Sequence, residues 1–196
     1  MNINGSLSEY IQNIDKLRNL IRYQTSIRCT SESVAEHSYF VSAYLLKLKD
    51  YFNFNLEKSL QIALLHDFSE TQISDIPHPI KQNISGLSEF LENAEYEVNK
   101  TYISEEFANW LEEFNKNSSP EGFVVILADI LSVITYANRE ISLGNKFFKN
   151  VLYDTRGRYY NIILSGQKYL KETYTVDDIL NEIDKISMEI IWLIIR

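Results

Sequence analysis

The sequence predicts an all-α fold, a single helical bundle with a metal site between its central helices. Hydrophobic residues make up 45% of the 196 residues, and they recur at steps of three and four along most of the chain, which is the period of an amphipathic helix. The chain has only 6 Gly and 3 Pro, whereas an all-β protein needs a turn every ten residues or so. A chain of this length suits one domain with one core, which we expect over residues 1–196.

The N-terminal third predicts three helices. The first covers residues 7–23, where apolar residues share one face. Residues 24–30 break this pattern and predict a loop. A second helix opens at residues 31–33 and continues to about residue 52. Residues 56–68 form a third helix that is apolar on most sides, so we expect it at the centre of the bundle.

The rest of the chain predicts a loop followed by further helices. Two of the three prolines lie in Asp75-Ile76-Pro77-His78-Pro79, which predicts a loop over residues 71–86. The later helices are predicted over residues 87–102, 104–115, 123–143, 158–172 and 176–195. The last of these is rich in apolar residues, which is compatible with packing on the core or with a subunit contact.

The net charge and the cysteine content indicate which binding partners and which cellular compartment to expect. The net charge is -8 and the sequence pI is about 5.0, so we expect no nucleic-acid partner. The one cysteine, Cys29, excludes a disulfide within the chain and favours a reducing, cytoplasmic location. The polar N-terminus does not resemble a signal peptide. No uninterrupted apolar run approaches the ~20 residues that span a bilayer, so no membrane partner is expected.

Four dispersed residues indicate a site for a divalent cation. His37, His66, Asp67 and Asp129 each lie on a predicted helix beside apolar residues. Two imidazoles and two carboxylates form a mixed nitrogen and oxygen ligand set, which suits Mn, Fe, Co or Zn, with Mg as a further option. The alternative is a pair of core histidines satisfied by hydrogen bonds and a pair of capping aspartates. Each motif is weak alone, and the combination favours the metal site.

The blocks around these residues resemble the HD-domain superfamily of metal-dependent phosphohydrolases. Within it, the chain is most similar to the bacterial 5'-deoxynucleotidases, over about residues 17–148. The resemblance rests on Ile21-Arg22-Tyr23, Arg28, Glu32-Ser33-Val34-Ala35-Glu36-His37-Ser38, His66-Asp67-Phe68-Ser69-Glu70-Thr71, Asp75-Ile76-Pro77-His78-Pro79-Ile80-Lys81, Ala128-Asp129, Glu140 and Gly144-Asn145-Lys146-Phe147.

The resemblance implies an enzyme that removes the 5'-phosphate from a nucleoside monophosphate, with deoxyribonucleotides preferred. It implies that His37, His66, Asp67 and Asp129 bind the metal. It further implies that Glu70 is the acid/base residue for the attacking water, that Asp75 is a second essential carboxylate and that Arg22 orients the phosphate. The segment Asp75 to His78, with Pro77, matches a loop that contacts substrate, and a homodimer is implied.

Several positions leave alternatives open. Tyr23 stands where these enzymes often have Trp beside the sugar, which leaves selection against a 2'-hydroxyl open. Ser74 replaces the usual glycine before Asp75, a change that would shift the loop. Arg22 could instead be a surface arginine, Asp75 a turn residue, and His78 an exposed side chain.

Two other functions fit the same residues. A dNTP triphosphohydrolase would release triphosphate from the same metal site, and it would need further cations near Arg22. A catalytically inactive nucleotide-binding regulatory protein would keep the fold without turnover. The first would be recognised by its products from dATP, and the second by tight binding without reaction.

Overall fold

The computed structural model describes residues 2–76, 80 and 83–194, with the backbone alone for residues 187–194. The predicted all-α fold is confirmed. Within the described residues, extended pairing is limited to two isolated antiparallel bridges. A short 3₁₀ turn, Gln167–Tyr169, precedes the last helix. The helices with described bounds are α1 (Leu7–Lys16), α2 (Val34–Leu48), α3 (Leu56–Leu65), α4 (Glu70–Ile73), α5 (Leu87–Tyr102), α6 (Glu105–Asn115), α7 (Pro120–Ser142), α8 (Phe148–Ser165) and α9 (Val176–Ile194).

Helix α7 occupies the centre of the bundle. It packs against α2, α3, α6, α8 and α9, and its residues Leu127, Ile130 and Ile134 are almost fully buried. Helix α3, which was predicted to be central, contacts α2, α6 and α7 but leaves Leu64 half-exposed, so α7 is the more central of the two. The length of α7 and its mean hydropathy of 1.6 would also suit a membrane span, but 67% of that stretch is buried inside the protein. Contact with five neighbouring helices accounts for this composition.

The N-terminus of α7 is fixed by a cap and a close helix approach. The side chain of Ser119 accepts a hydrogen bond from the Gly122 N–H, and Pro120 follows as the first helical residue. A Cβ atom at Gly122 would lie 2.8 Å from the carbonyl oxygen of Glu113 at the end of α6. Glycine therefore allows α6 and α7 to approach each other, which sets the depth at which α7 enters the core.

The first predicted helix is too long, because the chain leaves the helix at Leu17. Beyond it, Ile21 forms a bridge with Ser33, and the Arg22 N–H donates a hydrogen bond to the Glu32 carbonyl oxygen at 2.9 Å. This pairing within one stretch of chain replaces helical hydrogen bonds. We call residues 17–33 the arch segment; it returns the chain to the start of α2.

Two other boundaries differ from the prediction. Helix α3 ends at Leu65, so His66 and Asp67 lie in the turn that leads to the short helix α4, which starts before the predicted loop. The helix predicted over residues 158–172 instead covers Phe148–Ser165. The misplaced start has a physical reason, since Gly157 lies in the middle of α8 and glycine is unfavourable inside a helix.

Candidate metal and active site

His37 enters the site from the first turn of α2. A reciprocal cap between Ser33 and Glu36 begins this helix, with the Ser33 N–H donating to Glu36 at 2.7 Å and the Glu36 N–H to the Ser33 hydroxyl at 3.1 Å. The His37 ring is buried, and its Nδ1 lies 3.1 Å from the hydroxyl of Ser132 on α7. This contact fixes the ring so that Nε2 faces the opposite direction, into the site.

His66 follows the last turn of α3, and its tautomer is determined by a backbone contact. Its Nδ1 lies 2.8 Å from the carbonyl oxygen of Ala63. A carbonyl oxygen only accepts, so Nδ1 carries the proton and Nε2 keeps a lone pair. A hydrogen bond from the second ring nitrogen to a backbone carbonyl is the usual arrangement for a metal-binding histidine.

Asp129 completes a group of three potential ligands. One ligand atom from each of His37, His66 and Asp129 lies within 4.8 Å of the other two. These residues come from α2, the end of α3 and α7, so the packing of three helices forms the group. Asp129 Oδ1 is 3.1 Å from His37 Nε2, and its side chain keeps 26% of its exposure, which leaves the group open on one side.

Asp67 lies beside this group and also contacts the Arg22 side chain. Its Oδ2 is 3.3 Å from His66 Nε2 and 3.8 Å from His37 Nε2. The same oxygen accepts a hydrogen bond from Arg22 Nη1 at 3.3 Å. All four sequence-predicted ligands are therefore brought to one place, with the guanidinium of Arg22 at its edge.

The electrostatics keep the ligands in forms that bind a cation. Burial lowers the pKa of His37 to about 4, and the positive charge of Arg22 acts in the same direction. Burial alone would raise the pKa of Asp129, but the contact with His37 and the charge of Arg22 outweigh it and hold that pKa well below its ordinary value. At neutral pH the imidazole of His37 is neutral and the Asp129 carboxylate is ionised, as metal binding requires.

The two Nε2 atoms favour a metal site over the alternative of core histidines whose hydrogen bonds are all satisfied. Among the described residues, neither His37 Nε2 nor His66 Nε2 has a hydrogen-bond partner, although both atoms are buried. His37 Nε2 lies 3.1 Å from Asp129 Oδ1, but this approach lacks the geometry of a hydrogen bond. Leaving buried polar atoms unsatisfied costs free energy, and a divalent ion between them would offset that cost. The mixed nitrogen and oxygen set fits such an ion.

The predicted catalytic carboxylates, Glu70 and Asp75, follow His66 and Asp67 along the chain. Glu70 begins α4, and its N–H donates to the Asp67 carbonyl oxygen at 3.1 Å, which joins it to the ligand turn. Asp75 is partly buried, two residues after α4 ends. Pro77 and His78, predicted to contact substrate, lie outside the described residues.

Tyr23 lies next to Arg22 in an uncommon backbone conformation. Its φ is +57°, in the left-handed region, and its carbonyl oxygen accepts a hydrogen bond from Arg28 Nη1 at 2.9 Å. The ring stacks on Tyr136 of α7 with centroids 5.0 Å apart. Burial raises the pKa of Tyr23 to about 12, while the Arg22 charge opposes this. Tyr23 therefore belongs to the same edge of the site as Arg22.

A family model described as YfbR-like 5'-deoxynucleotidase matches residues 9–178. The chain belongs to this family. Among curated proteins, a 5'-deoxynucleotidase of Pasteurella multocida is 30% identical over 156 residues, which cover 73% of this chain and 80% of the relative. The resemblance seen in the sequence is confirmed.

Solved structures share the fold. A protein from Pyrococcus horikoshii has a TM-score of 0.71 at 28% identity, with 92% of this chain and 99% of that chain covered. The HD phosphohydrolase DatZ of cyanophage S-2L, solved with dA and one catalytic Zn²⁺ ion, has a TM-score of 0.66 over 95% and 98% of the two chains. At 13% identity the second likeness shows the shared fold alone.

The structure also shows supporting residues to which sequence reasoning gave no role. Ser132 orients His37, and its position three residues after Asp129 on the same helix was a readable signal. In the sequence, Glu140 and Glu32 appeared only within the blocks that carry the resemblance. Buried Glu140 accepts hydrogen bonds from the N–H groups of Cys29 and Thr30, both at 2.7 Å, and so anchors the arch segment to α7.

Proposed function

We propose that this protein is a metal-dependent phosphohydrolase that removes the 5'-phosphate from nucleoside monophosphates, with deoxyribonucleotides as the preferred class. Membership of the 5'-deoxynucleotidase family supports the reaction class. The observation that carries the proposal in this chain is the convergence of two buried Nε2 atoms without hydrogen-bond partners, Asp129 and the cation Arg22.

His37, His66, Asp67 and Asp129 would hold the divalent ion. Such an ion, when bound, polarises the phosphoryl oxygens and lowers the pKa of water beside it. Mn, Co, Fe and Zn are the preferred candidates because imidazole and carboxylate ligands are combined.

The residues of the chain supply the remaining chemistry. Arg22 presents a planar guanidinium that can hold two phosphate oxygens. Glu70 accepts a proton as water attacks phosphorus, the bond between phosphorus and the 5'-oxygen breaks, and the proton passes to that oxygen as the nucleoside leaves. Asp75 would contact the substrate from the segment after α4, and Tyr23 would lie beside the sugar.

The proposal extends to the setting of the enzyme. A homodimer in the cytoplasm, with neither nucleic acid nor a membrane as partner, remains our prediction. The net charge of -8 supports the absence of a nucleic-acid partner. The net negative charge of the protein repels anions. The positive charges of a metal ion and of Arg22 would offset this repulsion at the site and attract the phosphate.

The test is hydrolysis of dAMP by the purified protein supplied with Mn²⁺ or Co²⁺. We expect release of inorganic phosphate, faster from dAMP than from AMP. Glu70→Gln keeps the shape of the side chain but cannot accept the proton, so kcat should fall by about 100-fold or more. Glu57→Gln, an exposed glutamate on α3, is the matched control and should leave kcat unchanged.

Three outcomes would contradict the proposal. The first is phosphate release that survives both exhaustive chelation and Asp67→Ala. Triphosphate released from dATP, with no phosphate from dAMP, would favour the triphosphohydrolase. Tight nucleotide binding without turnover across several metals would favour a regulatory protein.

A further inference from the structure

Glu32 is a buried carboxylate with no role in the proposed reaction. Only 5% of the Glu32 surface is exposed. Glu32 lies at the end of the arch segment, just before the capping residue of α2. Burying a carboxylate is costly unless a cation accompanies it. The cation beside it is Arg22, whose Nε lies 3.8 Å from Glu32 Oε2.

Arg22 is held between two carboxylates from different elements. Nε faces Glu32, and Nη1 donates to Asp67, a predicted metal ligand, at 3.3 Å. The contacts of Arg22 with these two carboxylates are made through Nε and Nη1. Two of the three guanidinium nitrogens therefore face protein carboxylates, which restrains the orientation of the planar group, and the donors that these contacts do not use can face a phosphate.

The backbone reinforces the position of Glu32 relative to Arg22. The Arg22 N–H donates to the Glu32 carbonyl oxygen at 2.9 Å, and the neighbouring residues Ile21 and Ser33 form the antiparallel bridge. The two residues are thus directly paired across the arch segment. Ser33 in turn caps α2, which carries His37, so the position of Glu32 is tied to that of the metal ligands.

We infer that Glu32 is a positioning residue, which holds the Arg22 guanidinium in the orientation that receives the substrate phosphate. This inference rests on the proposed function, because it needs a phosphate beside Arg22. Without Glu32, the guanidinium keeps its ion pair with Asp67 and its contact with the Tyr23 ring, whose centroid lies 5.7 Å from Cζ, and it can turn towards Asp67. A phosphate would then have to reorder Arg22 on binding, which costs affinity and rate.

A competing explanation predicts the opposite sign. A carboxylate near an anion site repels the anion, so if Glu32 acted through charge alone its removal would tighten phosphate binding. If Glu32 orients Arg22, its removal weakens phosphate binding even though a negative charge is lost. The direction of the change therefore distinguishes the two roles.

The experiment compares wild type, Glu32→Gln and Glu32→Asp. We expect Glu32→Gln to lower kcat/KM for dAMP on the order of tenfold, or about 1.4 kcal/mol in transition-state free energy. Its Kd for inorganic phosphate, measured by calorimetry on Mn²⁺-loaded protein, should rise. Glu32→Asp keeps the charge and should recover part of both losses.

Two further variants separate positioning from general stability. Glu121→Gln alters another buried carboxylate, which accepts the Asn55 N–H at 2.9 Å on a different part of the bundle, and it should lower the unfolding midpoint without changing phosphate affinity. In the Arg22→Lys background, Glu32→Gln should have little further effect, because interacting residues are not additive.

The outcomes distinguish this inference from the proposed function. If Glu32→Gln binds phosphate as tightly as wild type or more tightly, the positioning role is overturned while nucleotide hydrolysis can stand. The role is also overturned if Arg22→Lys leaves phosphate affinity unchanged. If wild type does not hydrolyse dAMP but Glu32→Gln still weakens phosphate binding, the positioning role stands and the proposed function fails.

Discussion

At the scale of single residues, the site depends on how each ligand is oriented as well as on its identity. The contacts of His37 with Ser132 and of His66 with the Ala63 carbonyl leave both Nε2 atoms facing the site. Backbone conformation matters in the same way just beyond Glu70. Ser74 has φ of +68° and ψ of 162°, a region that glycine alone adopts without strain.

Replacing Ser74 with glycine should therefore stabilise the protein. We expect Ser74→Gly to raise the free energy of unfolding by about 1 kcal/mol, because relief of strain outweighs the greater freedom of glycine in the unfolded chain. Urea unfolding monitored by circular dichroism measures this. Ser74→Ala keeps a Cβ atom and should bring no gain; equal stability of Ser74→Gly and Ser74→Ala would show that the position is unstrained.

At the scale of elements, the sequence predicts helices well where the helix buries its own apolar face. Helices α5, α6 and α7 lie close to their predicted bounds, since the periodicity of apolar residues follows the buried face of a helix. The helix predicted over residues 17–23, the first part of the arch segment, is wrong because the structure there depends on distant partners. Apolar spacing alone continues through Ile21, but the bridge to Ser33 and the anchor on Glu140 are contacts that a local pattern does not contain.

The candidate site could likewise be predicted from the sequence only in part. The ligand types and their order along the chain could be predicted from the sequence, because imidazole and carboxylate groups beside apolar residues are unusual. The pairing of Arg22 with Asp67 and Glu32 could not, since it depends on how the arch segment folds back on itself and on its contact with the turn after α3. Distances of this kind are set by the packing of α2, α3 and α7.

Because Glu140 holds the arch segment through its carboxylate, we expect the stability of the protein to depend on pH. Burial alone would raise the pKa of Glu140, but hydrogen bonds from Cys29, Thr30 and Asn145 outweigh it and lower the pKa from 4.5 to about 2. The unfolded state then binds its proton at a higher pH than the folded state. The stabilisation by this carboxylate is complete above about pH 4.5 and is lost as the pH falls towards 2.

Glu140→Gln should remove this contribution. At pH 7 we expect the variant to lose about 1–3 kcal/mol of unfolding free energy, because donors in the arch segment lose a charged acceptor. In urea titrations between pH 7 and pH 3, the difference between wild type and variant should shrink as the pH falls. Glu57→Gln reports the effect of removing an exposed charge. A difference that stays constant with pH would show that Glu140 is not the titrating anchor.

At the scale of the whole molecule, the ligand group connects parts of the bundle that are distant in sequence. His37, His66 and Asp129 lie on α2, at the end of α3 and on α7, the helix around which the others pack. An ion bound by all three would bind the folded chain far better than the unfolded chain. Binding of that kind raises stability with ion concentration, by about 2.7 kcal/mol at 100 times Kd.

Thermal unfolding should therefore respond to the identity of the divalent ion. Mn²⁺ or Co²⁺ added to chelator-treated protein should raise the unfolding midpoint in proportion to the logarithm of its concentration, and His66→Ala should lose most of the rise. Ca²⁺ is the control, because it carries the same charge but prefers oxygen ligands. With a net charge of -8, any divalent ion could stabilise the fold by screening alone. If Ca²⁺ raises the unfolding midpoint equally, or if Mn²⁺ raises it as much in His66→Ala, the effect is due to screening. Either result would contradict ion binding by this ligand group.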